Sequence, residues 1–213
     1  MKKYELTAEF IEKWGKKLFR IKALISFGSV EAGELGGYIE KEDNLAHDGN
    51  AWVSGDARVS GNARVSGNAR VSGNARVSGD AEVSGNAWVS GNARVSGNAW
   101  VYGNAEVSGD ARVSGDARVY GDAEVSGNAD YLLIGRIGSR FSFTTFFKNK
   151  DKGITVSCGC FLGTIAEFRA KVTDTHGNNK HAKIYNLAAD MAELQILGEE
   201  HFDKLNTNKS ESF

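Results

Sequence analysis

From Val53 to Val125 a valine stands at every sixth position, and an alanine precedes each valine by two residues. Written from the valine, the word is Val-Ser-Gly-Asn/Asp-Ala-X, where X is Arg, Trp or Glu and the serine is twice replaced by tyrosine. Along Ala57-Arg58-Val59-Ser60 small apolar and polar residues alternate, as in a strand with one buried face. Gly61-Asn62 then turns the corner, with residue types that tolerate positive φ. A helix is excluded, because a glycine in every word would cost it about 1 kcal/mol each and valines six apart share no helical face. A period this short predicts a parallel β-helix rather than a helical solenoid or a propeller. His47 and Tyr131 continue the register at the two ends.

After Asn128 the pattern changes. Tyr131–Ile134 and Ile154–Ser157 read as strands, separated by the phenylalanine-rich stretch 141–147 and a turn at 149–153. Thr164 followed by Glu167 is a capping box that opens a helix through Val172, with Gly177 stopping it near His176. A second helix is predicted from Lys180 to Leu197, with Ile184, Leu187, Ala188, Met191, Leu194 and Leu197 along one face. From Gly198 onward the chain is polar and is expected to fray. Three regions result: 1–46, an N-terminal cap and lead-in segment; 47–130, the β-helix; and 131–213, an α+β recognition module with a frayed tail.

The word V-S-G-N-A-R resembles the hexapeptide pattern of left-handed parallel β-helices, over residues 47–130. The resemblance implies a mainly β protein in which three hexads make one triangular coil. With coils at the usual strand spacing, the prism would be about 20–25 Å long and filled by Val and Ala. Many members of that family are trimeric acyltransferases, in which a histidine on an excursion loop acts as general base. Here no loop leaves the repeats between Val53 and Val125, and none of His47, His176, His181 and His201 interrupts them. His47 takes the inward position of the first hexad, where it is expected to cap. No catalytic residue and no cofactor is therefore expected. The flanks (Tyr4–Thr7, Leu18–Leu24, Gly36–Glu40 and Asn44-Leu45) resemble the opening segment of hexapeptide-repeat proteins of prophages and enteric bacteria. The stretch from Gly138 through Cys158-Gly159-Cys160 to Phe168 resembles a small module of phage proteins. Neither resemblance implies an established activity.

Composition narrows the partners. The net charge of the 213 residues is −1, so no overall field recruits nucleic acid or a membrane surface. No apolar run reaches membrane-spanning length, and the charged N-terminus is unlike a signal peptide; the cytoplasm of a bacterial host is the expected location. Cys158 and Cys160 stand too close for an ordinary bridge and lack the second pair of a zinc site. There is no proline.

If residues eighteen apart stack, the outward positions form three columns. Trp52, Arg70, Trp88, Glu106 and Glu124 make the first, and Arg58, Arg76, Arg94, Arg112 and Asp130 the second. Arg64, Glu82, Trp100 and Arg118 make the third, with Tyr102 and Tyr120 beside it. The four arginines of the second column are candidates for an anion site or a subunit interface. Trp52, Trp88, Trp100, Tyr102 and Tyr120 need covering, which points to a homo-oligomer, a trimer on the family pattern. The most ligand-like stretch is Gly135-Arg136-Ile137-Gly138-Ser139-Arg140, readable either as a backbone nest for phosphate or as a plain glycine turn. Arg136, Gly138, Ser139 and Arg140 are the candidate ligand residues, with Thr144, Thr145, the Cys-Gly-Cys segment and Arg169 expected along the same pocket. The expected function is binding without catalysis: capture of a host protein or of a small, nucleotide-like anion. The alternatives are a structural scaffold and a divergent acyltransferase.

Overall fold

The computed structural model describes residues 2–13 and 15–200. His201 and the rest of the tail expected to fray lie outside the described residues. The chain divides into two compact units, Met1–Asp122 and Ala123–Phe213.

In the first unit, strands β1 (Tyr4–Lys13) and β2 (Lys16–Ala23) form an antiparallel hairpin. Strand β3 (Leu35–Ile39) pairs antiparallel with β2 on one side and parallel with β5 on the other. The repeats supply one two-residue strand each, β4 (Trp52–Val53), β5 (Arg58–Val59) and so on at every sixth residue to β15 (Arg118–Val119), while the last, β16 (Glu124–Val125), belongs to the second unit. Each from β4 to β15 pairs in parallel with the strand eighteen residues away, as Arg76 and Val77 do with Arg94 and Val95. Three ladders result: β5-β8-β11-β14 below β3, β4-β7-β10-β13, and β6-β9-β12-β15. The valines and alanines of the repeats are buried, each valine contributing about 1.5–3 kcal/mol of hydrophobic transfer.

The corners explain why the fourth letter of the word is Asn or Asp. Asn50 Nδ2 donates to Asn68 Oδ1, Asn68 to Asn86, Asn86 to Asn104 and Asn104 to Asp122, at 3.1 to 3.2 Å. On a second corner Asn74 donates to Asn92 and Asn92 to Asp110. On the third Asn62 donates to Asp80, and a separate rung joins Asn98 to Asp116. Every amide points the same way along the stack, and every ladder ends on a carboxylate, which can only accept. The two kinds of substitution should therefore have opposite signs. Asn86→Asp deletes a donor in the longest ladder and is expected to cost about 0.5–1.5 kcal/mol. Asp80→Asn supplies the missing donor toward Asn98 and is expected to raise the melting temperature. Parallel thermal unfolding of the two variants and wild type tests both signs.

The first coil is closed by the N-terminal strands. Lys3, almost fully buried, donates from Nζ to the carbonyls of Ala51 (2.9 Å), Gly49 (3.3 Å) and Asp48 (3.5 Å). Desolvation pushes its ammonium below the ordinary lysine range, against the pull of Asp48. The Tyr4 hydroxyl donates to Leu45 O and Glu42 O, both at 2.8 Å. His47 stacks on the Tyr4 ring and accepts the Lys3 backbone N–H at Nδ1, a capping arrangement. Trp52 is only 5% exposed, held between the rings of Phe27 and Tyr4. That corrects the expectation that Trp52 awaits a subunit partner: the chain's own lead-in segment covers it.

In the second unit, β17 (Tyr131–Ile137), β18 (Ser142–Lys148), β19 (Ile154–Cys158) and β20 (Phe161–Thr164) form an antiparallel sheet in sequence order. The phenylalanine-rich stretch is thus itself a strand, not a spacer between strands. Helix α1 (Ile165–His176) opens on the Thr164–Glu167 capping box, and α2 (Lys180–Leu197) opens on Asn179. Asp130 does not continue the arginine column. It lies in a single helical turn, where its Oδ2 accepts from Ser126 N, Ser126 Oγ and Gly127 N, and Lys148 lies 3.5 Å from its Oδ1. Although burial opposes ionisation, these bonds hold its carboxyl below the usual range.

The apolar face expected along α2 is divided: Ala188 and Leu197 pack against the core, and the other four residues do not. Tyr185 and the alanines Ala182, Ala188, Ala189 and Ala192 pack into the core with Phe146, Ile154, Val156, Phe168 and Val172. Ile184, Leu187, Met191 and Leu194 are exposed. Alanine brings the helix close to its neighbours, and these four larger side chains are left outside, whereas Ile196 and Leu197 pack against the core.

Candidate functional site

A cavity of about 430 Å³ opens in the second unit between the β17–β18 turn, the β19–β20 hairpin and α1. The turn gives Ser139, Arg140 and Ser142; the hairpin gives Cys158, Gly159 and Cys160. Helix α1 adds Lys171, Thr175 and His176 to the rim, and Phe161, Phe168, Val172 and Tyr185 line the apolar part. No carboxylate is among these lining residues, whereas Arg140 and Lys171 bring two cations. Lys171 also meets Asp174 at 2.9 Å in solvent, an exposed pair of little strength.

Tyr185 is the centre of the floor. Its ring meets Phe168 edge-on at 5.7 Å and stacks on His176 at 5.8 Å. Burial, and then the neighbouring Cys158 thiol to which it hydrogen-bonds, push its phenol up to about 12, with Arg140 pulling the other way. Cys158 in turn accepts from Thr144 Oγ1 at 3.3 Å. Both cysteines are free thiols.

The glycines of the ligand-like stretch are accounted for by aromatic rings. A Cβ on Gly135 would overlap Phe143, and one on Gly138, where φ is +73°, would overlap the Tyr185 hydroxyl. The turn also carries strain, since Arg136 and Phe141 hold φ of 51° and 47°, a conformation that costs a non-glycine residue about 1–3 kcal/mol and gathers at ligand sites.

Of the residues picked out from the sequence, Ser139 and Arg140 line the cavity together with both cysteines. Gly138 and Thr144 support it from behind, through Tyr185 and Cys158. Arg136 is exposed and outside the lining. Thr145 is buried on the other face of the sheet, one residue on from Thr144 and paired with Ser157. Arg169 does not line the cavity: it bonds Asp190 at 2.8 Å, Glu193 at 2.6 Å and Asn186, clamping α1 to α2. Lys171, Thr175, His176 and Tyr185 were not picked out. The (i, i+4) spacing of Lys171 and Thr175 on an amphipathic helix is the one local signal that could have found them.

Within the first unit the outward columns stand in register as expected. The second is longer than the repeats, running Arg20, Tyr38, Arg58, Arg76, Arg94, Arg112 across β2, β3, β5, β8, β11 and β14. Glu9 receives the Arg20 guanidinium at 3.1 Å at its head. Burial, then the guanidiniums of Arg94 and Arg58, lower Arg76 from the ordinary arginine value. Trp88 and Trp100 are exposed; Trp88 donates to Ser72 Oγ, and Arg118 covers the Trp100 ring at 5.1 Å. Tyr102 and Tyr120 stack at 4.6 Å.

Among the described residues no His/Cys/Asp/Glu cluster is placed to hold a metal ion, and no helix is long and apolar enough to cross a membrane. The paired ladders define a mainly β repeat protein, a β-solenoid followed by a sheet with two helices. Its hexads match the family model described as the YdcK beta solenoid repeat, over residues 51–67, 57–73, 63–79, 69–85, 75–91, 87–103 and 105–121. No curated protein matches the chain.

Proposed function

We propose that this protein binds a small anionic molecule with an apolar or aromatic body in the cleft of its second unit, and that it does so without catalysis. The carrying observation is the lining: Arg140 and Lys171 at the rim, hydroxyls of Ser139, Ser142 and Thr175 beside them, and a floor of Phe161, Phe168 and Tyr185 with no acid among them. The volume of about 430 Å³ falls in the range of small-molecule sites, about 300–1,000 Å³. Guanidinium and hydroxyl groups suit a phosphate or carboxylate, and the aromatic floor suits a ring. A nucleotide has both parts. The phage-type resemblance of the flanks fits capture of such a molecule from a bacterial host. In this reading the solenoid is a rigid spacer, a left-handed helix with three hexads to the coil; the eighteen-residue pairing and the hexad wording support that geometry.

Native mass spectrometry of the full chain, purified gently from bacterial lysate, reads a retained ligand as added mass. The wild type is expected to carry such a mass or to be stabilised thermally by nucleoside monophosphates. Arg140→Ala with Lys171→Ala is expected to lose both responses with unchanged circular dichroism, since both side chains are exposed. An unchanged adduct or thermal shift in the double variant would overturn the proposal, as would a wild type that shows neither.

A further inference from the structure

The surface of α2 does not look like that of a helix that ends at solvent. Ile184, Leu187, Met191 and Leu194 are 39 to 62% exposed, while the residues turned inward are mostly alanines. A surface helix ordinarily buries its large apolar residues and leaves small or polar ones outside. The four exposed residues are spaced three, four and three apart, the a/d spacing of a seam that receives a second helix.

The charge on the helix says what that second helix is. Lys180 and Lys183 lie in the first turn, with no acid there, and Glu199 and Glu200 follow the C-cap Gly198. This is the reverse of what the helix dipole favours, cations at the C-terminal end and anions at the N-terminal end. Both ends are corrected at once by an antiparallel copy of the same helix. Pairing Ile184 with Leu194 and Leu187 with Met191 of the copy brings Lys180 of each chain to Glu199 and Glu200 of the other. The acids nearer the middle are already neutralised within the chain, Asp190 and Glu193 by Arg169.

We infer that α2 is a self-association surface, on which two copies of this chain pair through antiparallel α2 helices about a twofold axis. The contact is isologous: the same stripe and the same two charged ends serve both copies.

Analytical ultracentrifugation of the full chain tests it. Leu187→Glu with Met191→Glu, both on the exposed face and so compatible with an intact fold by circular dichroism, is expected to halve the assembly mass and weaken association by about a hundredfold or more. Lys180→Glu with Lys183→Glu is expected to weaken association, and adding Glu199→Lys with Glu200→Lys to restore it. A parallel pair, in which each end meets its own kind, would gain nothing from that restoration. The inference is overturned if the wild type is monomeric, if its mass is unchanged by the seam variant (as for assembly through the solenoid faces alone), or if the fourfold charge swap fails to restore association.

Discussion

Arg169→Ala is expected to lower the stability of the second unit by about 2–4 kcal/mol, within or just below the range for a buried pair broken from one side. Its guanidinium reaches Asp190 and Glu193, about one turn apart along the facing helix, and two further bonds tie it to the carbonyl and side-chain oxygens of Asn186. Glu193 is nearly buried, with 8% of its side chain exposed. Removing the arginine strands that carboxylate and leaves two like charges adjacent, while Asp190 keeps more solvent and lowers the penalty. Arg169→Lys is expected to recover only part of the loss, because one ammonium does not reproduce a planar fork that spans both acids. Urea unfolding of the full chain, followed by the helical signal at 222 nm, gives the three stabilities. A loss below about 1 kcal/mol would class the cluster with exposed ion pairs.

Gly138→Ala is expected to destroy the cleft. The substitution places an L-residue at φ +73°, at about 1–2 kcal/mol, and its Cβ would occupy the space of the Tyr185 hydroxyl. Tyr185 must then leave Cys158 and disturb Phe168, on which the floor depends. The total expected loss is about 3 kcal/mol or more, with overpacking added to backbone strain. The displaced phenol also returns from about 12 toward the ordinary value of about 10. Because the folded value is raised, the neutral phenol stabilises the wild type fully below about pH 10 and that contribution fades as the pH climbs toward 12. Burial also pushes up the phenols of Tyr4, Tyr38 and Tyr102, so alkaline titration of tyrosinate absorbance should show several late-titrating groups in the wild type and one fewer in Gly138→Ala. A titration curve identical in the two proteins would mean that the hydroxyl is not where the glycine leaves room for it.

The legible parts of this sequence are those whose causes lie within a few residues. The six-residue word carries its own strand, corner and inward face, so the ladders and columns could be read without the structure. Thr164 and Glu167, three apart, announced the start of α1. What could not be read depends on distant partners. Gly138 is glycine because of Tyr185, and Arg169 is occupied by acids on the next helix. Trp52 is covered because the chain folds Tyr4 and Phe27 back over it. The phenylalanine-rich segment hid a strand because both faces of β18 carry phenylalanine and threonine, which leaves no alternation to see. In α2 the periodicity marked an apolar stripe but not which of its members meet the core, since alanine also makes a stripe and is the one that fits there.

The eighteen-residue pairing restricts how this solenoid can change length. Gain or loss of one hexad would carry every later side chain to the neighbouring face, setting tryptophans among the arginines and breaking each amide ladder at the join. Gain or loss of eighteen codons would return every column to itself. Length variants of this chain that keep its surface should therefore differ by whole turns, and the corner aspartates, which accept but cannot donate, mark where a duplicated block would interrupt a ladder.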